Sequence, residues 1–234
     1  GDDLFLLDQI AQMGLLNWST MVFSENFVPL FKILWGQAVF AFDGSYLAMV
    51  WLLWFTHAIN TGFFARILRH SGFSTSSVIL CCAIFAITPA NIETLGWSVQ
   101  WSSVLATGFL LIGVDWLLRH PYPIGSFSWR IHLPLFLFAT ASACSFSRGV
   151  LTGGVFALGL ILPLLFAQHR KSRWLRQLPG ILLCLLPAIT VALIIKTNSS
   201  GNHQNISGHF GEIWEYGLTF YLLNPFHYLL GETS

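Results

Sequence analysis

The residues best suited to acid–base chemistry are the adjacent carboxylates Asp2 and Asp3. Paired acids can supply a general base together with a group that binds a metal ion or a hydrogen-bond partner. Charges of this kind also cap helices or lie in water without further role. We therefore treat Asp2 and Asp3 as candidate catalytic residues, with helix capping as the alternative.

Two cations stand apart from the apolar segments around them. Arg148 lies in a Ser-Phe-Ser-Arg-Gly stretch between two apolar runs, and Lys196 closes the last long apolar run. A guanidinium binds a phosphate through two parallel hydrogen bonds, so Arg148, with Lys196 as a weaker second, is predicted to contact a lipid phosphate. The alternative is a side chain whose apolar stem reaches from the membrane to the water interface.

A third group of polar side chains is predicted to line a cavity. His57 and Asn60 lie one turn apart on one face of an apolar segment, and polar groups there usually face protein or a cavity. Glu93 and Gln100 belong to a polar and aromatic rim further along the chain. His57 could instead ligate a haem or chlorophyll metal, although a hydrogen bond between helices is the more common role.

Composition places these residues in an integral membrane protein. Of 234 residues, 55% are hydrophobic and only 9% are charged, which is far more apolar than an ordinary soluble domain. The formal net charge of +1 offers no electrostatic case for a nucleic-acid partner. Four cysteines (Cys81, Cys82, Cys144 and Cys184) lie in apolar segments without metal-ligand spacing, so no metal site is predicted from them.

The elements that would position these residues are apolar helices. Residues 46–67 can cross a hydrocarbon core of about 30 Å, and Arg66, Arg69 and His70 close this predicted helix. The chain breaks at Gly72 and returns through 73–90. Four more predicted spans follow at 101–118, 131–146, 150–168 and 178–196. The prediction is an all-α polytopic transmembrane bundle of six to seven spans, with six of them in 46–196.

The two flanking regions are predicted to lie outside the bundle. Residues 1–45 should form an external loop with amphipathic surface helices, because Leu6, Ile10 and Met13 share one helical face and Pro29 suits a first helical turn. Residues 197–234 should form an external loop and a re-entrant or seventh helix. We expect the chain to be part of a longer protein.

Charge sets the predicted orientation. Short loops rich in Lys and Arg stay in the cytoplasm, so the basic turn after the first span should be cytoplasmic. This assignment places eight of the eleven Lys and Arg residues inside, all but Lys32, Arg148 and Lys196. It places every Asp and Glu except Asp115 outside. The expected location is a bacterial inner membrane with cytoplasmic basic loops.

Several segments together resemble one family. Phe-Val-Pro-Leu-Phe-Lys at 27–32, Phe-Ala-Phe-Asp-Gly at 40–44, and His-Ala-Ile-Asn at 57–60 with Arg-Ile-Leu-Arg at 66–69 resemble the first external loop and following helix of polytopic glycosyltransferases of the GT-C superfamily. Residues 85–97 resemble a segment of the protein O-mannosyltransferase relatives. The resemblance covers residues 1 to about 168.

The resemblance implies a lipid-linked sugar, held as a polyprenyl-phosphate sugar, as donor, and transfer to an acceptor hydroxyl on the extracytoplasmic face. It also implies acidic catalytic residues in the first external loop, a position that Asp2 and Asp3 match if a spanning helix precedes Gly1. A divalent metal stays open as a cofactor, and membrane lipid is the expected surrounding. Two alternatives remain: a structural or pigment-associated subunit of a larger membrane complex, and a transporter, against which no pair of broken helices is found.

Overall fold

The computed structural model describes residues 2–22, 26–87, 95–120, 125–166 and 170–198. Within these ranges the secondary structure is helical, so the predicted all-α class is confirmed for the described residues. The α-helices, numbered here in chain order, are α1 Asp2–Met13, α2 Leu15–Thr20, α3 Pro29–Ala41, α4 Tyr46–His70, α5 Thr75–Ile87, α6 Trp101–Arg119, α7 Trp129–Ala143, α8 Leu151–Leu165 and α9 Arg170–Asn198. Short 3₁₀ turns, Ser98–Gln100 and Ser147–Val150, lead into α6 and α8.

Four of the described helical segments are long and apolar enough to cross a membrane. They are Tyr46–His70, Ser98–Arg119, Ser147–Leu165 and Arg173–Asn198, which is consistent with an integral membrane protein. The predicted count of six to seven spans is not confirmed. Helix α5 has 13 described residues and α7 has 15, and at 1.5 Å per residue each reaches only about 20 Å of a core of about 30 Å. The predicted seventh segment lies outside the described residues.

Helix α4 fixes the two ends of the bundle. Its first turn is capped by Ser45, whose hydroxyl accepts a hydrogen bond from the Ala48 amide (3.4 Å), and it ends at His70 before a turn at Gly72 with a φ of 83°. We call the two sides of the bundle the Ser45 end and the His70 end. The chain reverses at each of them.

Helices α4 and α6 lie parallel to each other. The Asn60 amide donates to the Val104 carbonyl (2.8 Å) near the middle of the pair, and the Arg66 guanidinium contacts Asp115 (3.1 Å) nearer the His70 end. Helix α5 runs back between them in sequence, and its Phe85 ring stacks on His57 of α4. Helices α4 and α6 thus run in the same direction and α5 runs back between them, as expected when successive helices cross a membrane in alternating directions.

The remaining helices continue the alternation. The Ser142 hydroxyl near the end of α7 donates to the Ala106 carbonyl near the start of α6 (3.0 Å), so these two helices are antiparallel. Helices α8 and α9 approach so closely that a Cβ at Gly153 would overlap the Cys184 carbonyl oxygen. Nearer the His70 end, the Gln177 amide nitrogen of α9 lies 3.2 Å from His132 Nε2 in the first turn of α7, so α9 runs from the His70 end to the Ser45 end.

Two apolar clusters hold the described part together. The first joins α1 to α3 with the Ser45 ends of α4 and α6, and the second joins α7, α8 and α9 with the middle of α6. The buried members of the first are Ile10, Trp18, Val28, Phe31, Trp35, Val39, Met49, Leu53, Leu95, Trp101 and Val104. Those of the second are Ile131, Leu135, Ala139, Phe156, Ala157, Leu160, Ile181 and Cys184. The first cluster seats the N-terminal helices on the Ser45 end.

Helix α3 is tied to the bundle through its backbone. Pro29 occupies its first position, where the missing N–H has no helical partner in any case. The amides of Leu30 and Phe31 donate to the Cys144 carbonyl at the end of α7 (3.0 and 3.3 Å). These two hydrogen bonds fix the start of α3 beside the Ser45 end of α7.

Candidate functional site

A cavity of about 450 Å³ opens where α1, α2 and α3 meet the start of α6. Its apolar walls come from both the N-terminal helices and the bundle, and the polar side-chain groups of its described lining are three amides, one hydroxyl, one indole N–H and one ammonium. The described lining residues are Phe5, Leu6, Gln9, Trp18, Asn26, Val28, Phe31, Lys32, Val99, Gln100, Ser102 and Phe146. The cavity thus lies at the Ser45 end.

Lys32 is the charged side chain of this cavity. It is only 4% exposed, and its ammonium donates to the carbonyls of Trp18 and Met21, each at 2.9 Å. The same nitrogen lies 5.0 Å from the centre of the Trp18 ring. Both carbonyls belong to the C-terminal end of α2, where the helix dipole favours a cation. Lys32 therefore also caps α2 and joins it to α3.

The positive charge of Lys32 lacks a counter-ion in the described part of the chain. The ion pairs found there involve only Asp115, near the opposite end of the bundle. Burial lowers the pKa of Lys32 to about 8 from its ordinary value of 10.5, because the charged form loses hydration. An ammonium held in this way gains most from an anion that enters the cavity.

The other polar lining groups are neutral. The Gln9 side-chain oxygen accepts a hydrogen bond from the Trp18 indole N–H (3.0 Å), which fixes this amide against α2. The Ser102 hydroxyl donates to the Val99 carbonyl (3.0 Å), and Gln100 lies in the 3₁₀ turn before α6. These groups can bind hydroxyls without competing with Lys32 for an anion.

The predicted catalytic residues Asp2 and Asp3 are the first residues of α1. Their side chains lie outside the described part of the structure. Helix α1 itself forms one wall of the cavity through Phe5, Leu6 and Gln9. Of the residues predicted to line a cavity, Gln100 does so here, whereas Glu93 falls outside the described residues.

The predicted phosphate-binding cations both lie at the Ser45 end. Arg148 is exposed in the 3₁₀ turn before α8, two residues after the cavity residue Phe146. Lys196 is exposed in the last turn of α9. Gly153 of α8 and Cys184 of α9 lie at the same level of the bundle. Lys196 is twelve residues beyond this level and Arg148 five, so at 1.5 Å per residue Lys196 lies about 10 Å further along the bundle axis. Arg148 is therefore the cation nearer to the cavity.

His57 and Asn60 are buried between helices rather than in this cavity. The Asn60 amide donates to the Val104 carbonyl of α6. Gly108 of α6 also lies beside Asn60, so closely that a Cβ at this position would be 2.7 Å from the Asn60 side-chain oxygen. The His57 ring stacks on Phe85 with centroids 5.3 Å apart. Its Nε2 atom has no hydrogen-bond partner among the described residues.

His132 differs from His57 because both of its ring nitrogens are engaged. Its Nδ1 lies 2.7 Å from the Ser128 carbonyl oxygen, and its Nε2 lies 3.2 Å from the Gln177 amide nitrogen. A metal ligand needs one nitrogen with a free lone pair directed at the metal. Of these two histidines, His57 is therefore the better candidate to hold a pigment.

The sequence did not predict Lys32 as a site residue or Asp115 as a buried ion-pair residue. Lys32 occupies a position in the apolar stripe of α3, four residues after Val28 and three before Trp35, and a cation in such a stripe signals a buried charge. The charge pattern of the sequence marks Asp115 only as the single acid on the side predicted to be basic. It is fully buried and binds Arg66 and Arg119, so its charge is compensated within the bundle.

The described lining of the cavity contains one cation, Lys32, and no carboxylate or imidazole. No cluster of three His, Cys, Asp or Glu side chains able to hold a metal occurs among the described residues. Asp2 and Asp3, the carboxylates predicted to be catalytic, begin α1, which forms one wall of the cavity. Comparison of the chain with protein-family models, curated proteins and solved structures finds no match.

Proposed function

We propose that the protein is a multi-pass membrane glycosyltransferase of the GT-C type, which transfers a sugar from a polyprenyl-phosphate donor to an acceptor hydroxyl. The reaction would take place at the Ser45 end, which we assign to the extracytoplasmic face. All six helices α4 to α9 would then serve as spans, with the basic loops of the His70 end in the cytoplasm.

One observation carries the proposal: the helix that begins with two carboxylates is also a wall of the cavity. Asp2 stands four residues before Leu6 and seven before Gln9, and both of these residues line the cavity. Residues at these spacings occupy one face of a helix. A base at the start of α1 would thus serve an acceptor at the mouth of a pocket that holds the donor.

The mechanism follows from the chemistry of these groups. Asp2 or Asp3 would remove the proton of the acceptor hydroxyl, and that oxygen would attack the anomeric carbon with inversion. The bond from this carbon to the phosphate oxygen would break. Arg148, with Lys196 beyond it, would stabilise the negative charge on the departing polyprenyl phosphate.

The test is single substitution of the two acids in the full-length protein with a polyprenyl-phosphate sugar as donor. Loss of a general base should lower turnover by roughly 10² to 10⁴ in Asp2→Asn or in Asp3→Asn. Asp8→Asn is the matched control, because Asp8 is an exposed acid on the same helix that accepts a hydrogen bond from the Gln12 amide (2.7 Å). Wild-type turnover in both variants would refute the assigned roles, and absence of sugar transfer by the wild type would refute the function.

A second candidate function is that of a pigment-associated subunit of a larger membrane complex. The observation that favours it is the buried His57 Nε2 atom, which has no hydrogen-bond partner among the described residues. An absorption spectrum of the purified protein tests it. A stoichiometric haem or chlorophyll band that disappears in His57→Ala would favour this candidate, and a spectrum without such a band would refute it.

A further inference from the structure

We propose that Lys32 anchors a phosphate-binding site inside the Ser45-end cavity, which takes the phosphate group of a lipid-linked or a free phosphorylated molecule. The inference rests on the cavity and on Lys32 themselves. It does not require that sugar transfer takes place.

The positive charge of Lys32 is only partly compensated by the described residues around it. A cation that is 4% exposed has lost most of its hydration, and two neutral carbonyls replace only part of it. An ammonium has three N–H donors, and Trp18 and Met21 accept from two of them. The third has no acceptor among the described residues. An anion in the cavity would supply an acceptor for this third N–H and a countercharge for the ammonium.

A second, independent source of positive potential comes from α6. Val99 and Gln100 of the turn before α6, and Ser102 in its first turn, line the cavity. The N-terminal end of a 19-residue helix therefore lies at the cavity wall. This end carries a partial positive charge from the aligned peptide dipoles, and it favours anions. Lys32 and the start of α6 thus act in the same direction.

The lining selects the ligand class. A volume of about 450 Å³ lies within the range of about 300 to 1,000 Å³ that is usual for small-molecule sites. The described walls are mostly aromatic and aliphatic, with amides at Gln9, Asn26 and Gln100 and without a carboxylate to repel an anion. Such a pocket suits a phosphate attached to an uncharged body, either an apolar chain or a neutral sugar.

The experiment measures binding to the purified full chain in detergent micelles. The probes are a short-chain polyprenyl phosphate, the corresponding neutral polyprenol, inorganic phosphate and a soluble hexose 1-phosphate, each followed through the shift in the midpoint of thermal unfolding. Removal of one charge-assisted contact in Lys32→Met should weaken phosphate binding by about 10- to 100-fold. Lys32→Arg should retain most of it. Arg130→Met, the same kind of change at the His70 end, should bind as the wild type does.

A structural role for Lys32 as the cap of α2 predicts a different result. The cap alone would make Lys32→Met less stable but leave the affinity for each probe unchanged, and that result would overturn the proposal. So would equal binding of polyprenol and polyprenyl phosphate, or no binding of any phosphate probe. Binding of polyprenyl phosphate alone supports the site with a lipid ligand, whereas binding of the soluble phosphates supports it with a free ligand.

A second measurement avoids the variant altogether. Wild-type protein is treated with an amine-acylating reagent, and mass spectrometry compares Lys32 with Lys171 in the presence and absence of the phosphate probe. The proposal expects protection of Lys32 alone, and unchanged labelling of Lys32 by a saturating probe would refute it. Retained phosphate binding together with unimpaired turnover in Asp2→Asn and Asp3→Asn would count against the proposed catalysis and not against this site.

Discussion

Asp115 should respond to mutation in an asymmetric way, because only one member of its ion-pair network is buried. The carboxylate is 0% exposed, whereas its partners Arg66 and Arg119 are 45% and 37% exposed. Removal of the acid leaves two cations that can turn toward water or lipid headgroups. Removal of both cations leaves a buried carboxylate without compensation. The second change should therefore destabilise the protein much more than the first.

The magnitudes follow from this difference in exposure. Asp115→Asn should lower the free energy of unfolding by about 1 to 2 kcal/mol, the range for lost charge-assisted hydrogen bonds with solvated partners. Arg66→Met or Arg119→Met alone should cost about 1 kcal/mol or less, since one cation remains. The double arginine variant should cost about 3 to 5 kcal/mol, the penalty for an uncompensated buried charge. The two arginine substitutions should thus be non-additive by at least about 1 kcal/mol.

The assay is reversible unfolding of the purified protein by SDS in mixed micelles. Arg69→Met serves as the control, because Arg69 is an exposed arginine of the same helical turn without an ion pair among the described residues. Adding Asp115→Asn to the double arginine variant should restore part of the lost stability, since the unpaired charge disappears. Strict additivity of the two arginine effects, or a larger loss for Asp115→Asn than for the double variant, would refute this reasoning.

Three further predictions concern the Lys32 charge, the helix packing and the topology. The folded-state pKa of Lys32 is lowered to about 8 from 10.5, so between these two pH values the unfolded chain binds more protons than the folded one. The free energy of unfolding should therefore rise with pH in this range. SDS unfolding at pH 8 and pH 10 should show this rise in the wild type but not in Lys32→Met. Gly153→Ala should cost about 1 to 3 kcal/mol because its Cβ would overlap the α9 backbone, while Gly154→Ala, with open space at its Cβ, should be neutral or stabilising. Single cysteines are introduced at Asp43 and at Ser71 in an otherwise cysteine-free chain and treated with a membrane-impermeant reagent. The cysteine at position 43 should react in intact cells and the one at position 71 in inverted vesicles, whereas reaction of both from the same side would contradict the alternating topology.

Local signals determined most of the helical framework. An apolar chain in a bilayer must satisfy its backbone hydrogen bonds internally, so long apolar runs predict helices whatever their neighbours are. Residues 46–67 lie within α4, and Pro29 begins α3, because capping and proline geometry act within one turn of the chain. The predicted number of spans is not confirmed by the described residues. Helices α5 and α7 are shorter in the described structure than the segments that predicted them.

Only the tertiary structure decided which polar groups share a site. Asn60 has the sequence signature of a cavity residue, yet its amide is used by the Val104 carbonyl on a helix distant in sequence. The charge pattern assigns Lys32 only to the external side, whereas the tertiary structure buries it in a cavity wall, where two carbonyls at the end of α2 accept from its ammonium and α6 starts at the same cavity. Burial and hydrogen-bond partners depend on the packing of segments far apart in the chain. For that reason neither composition nor spacing within one segment could predict them.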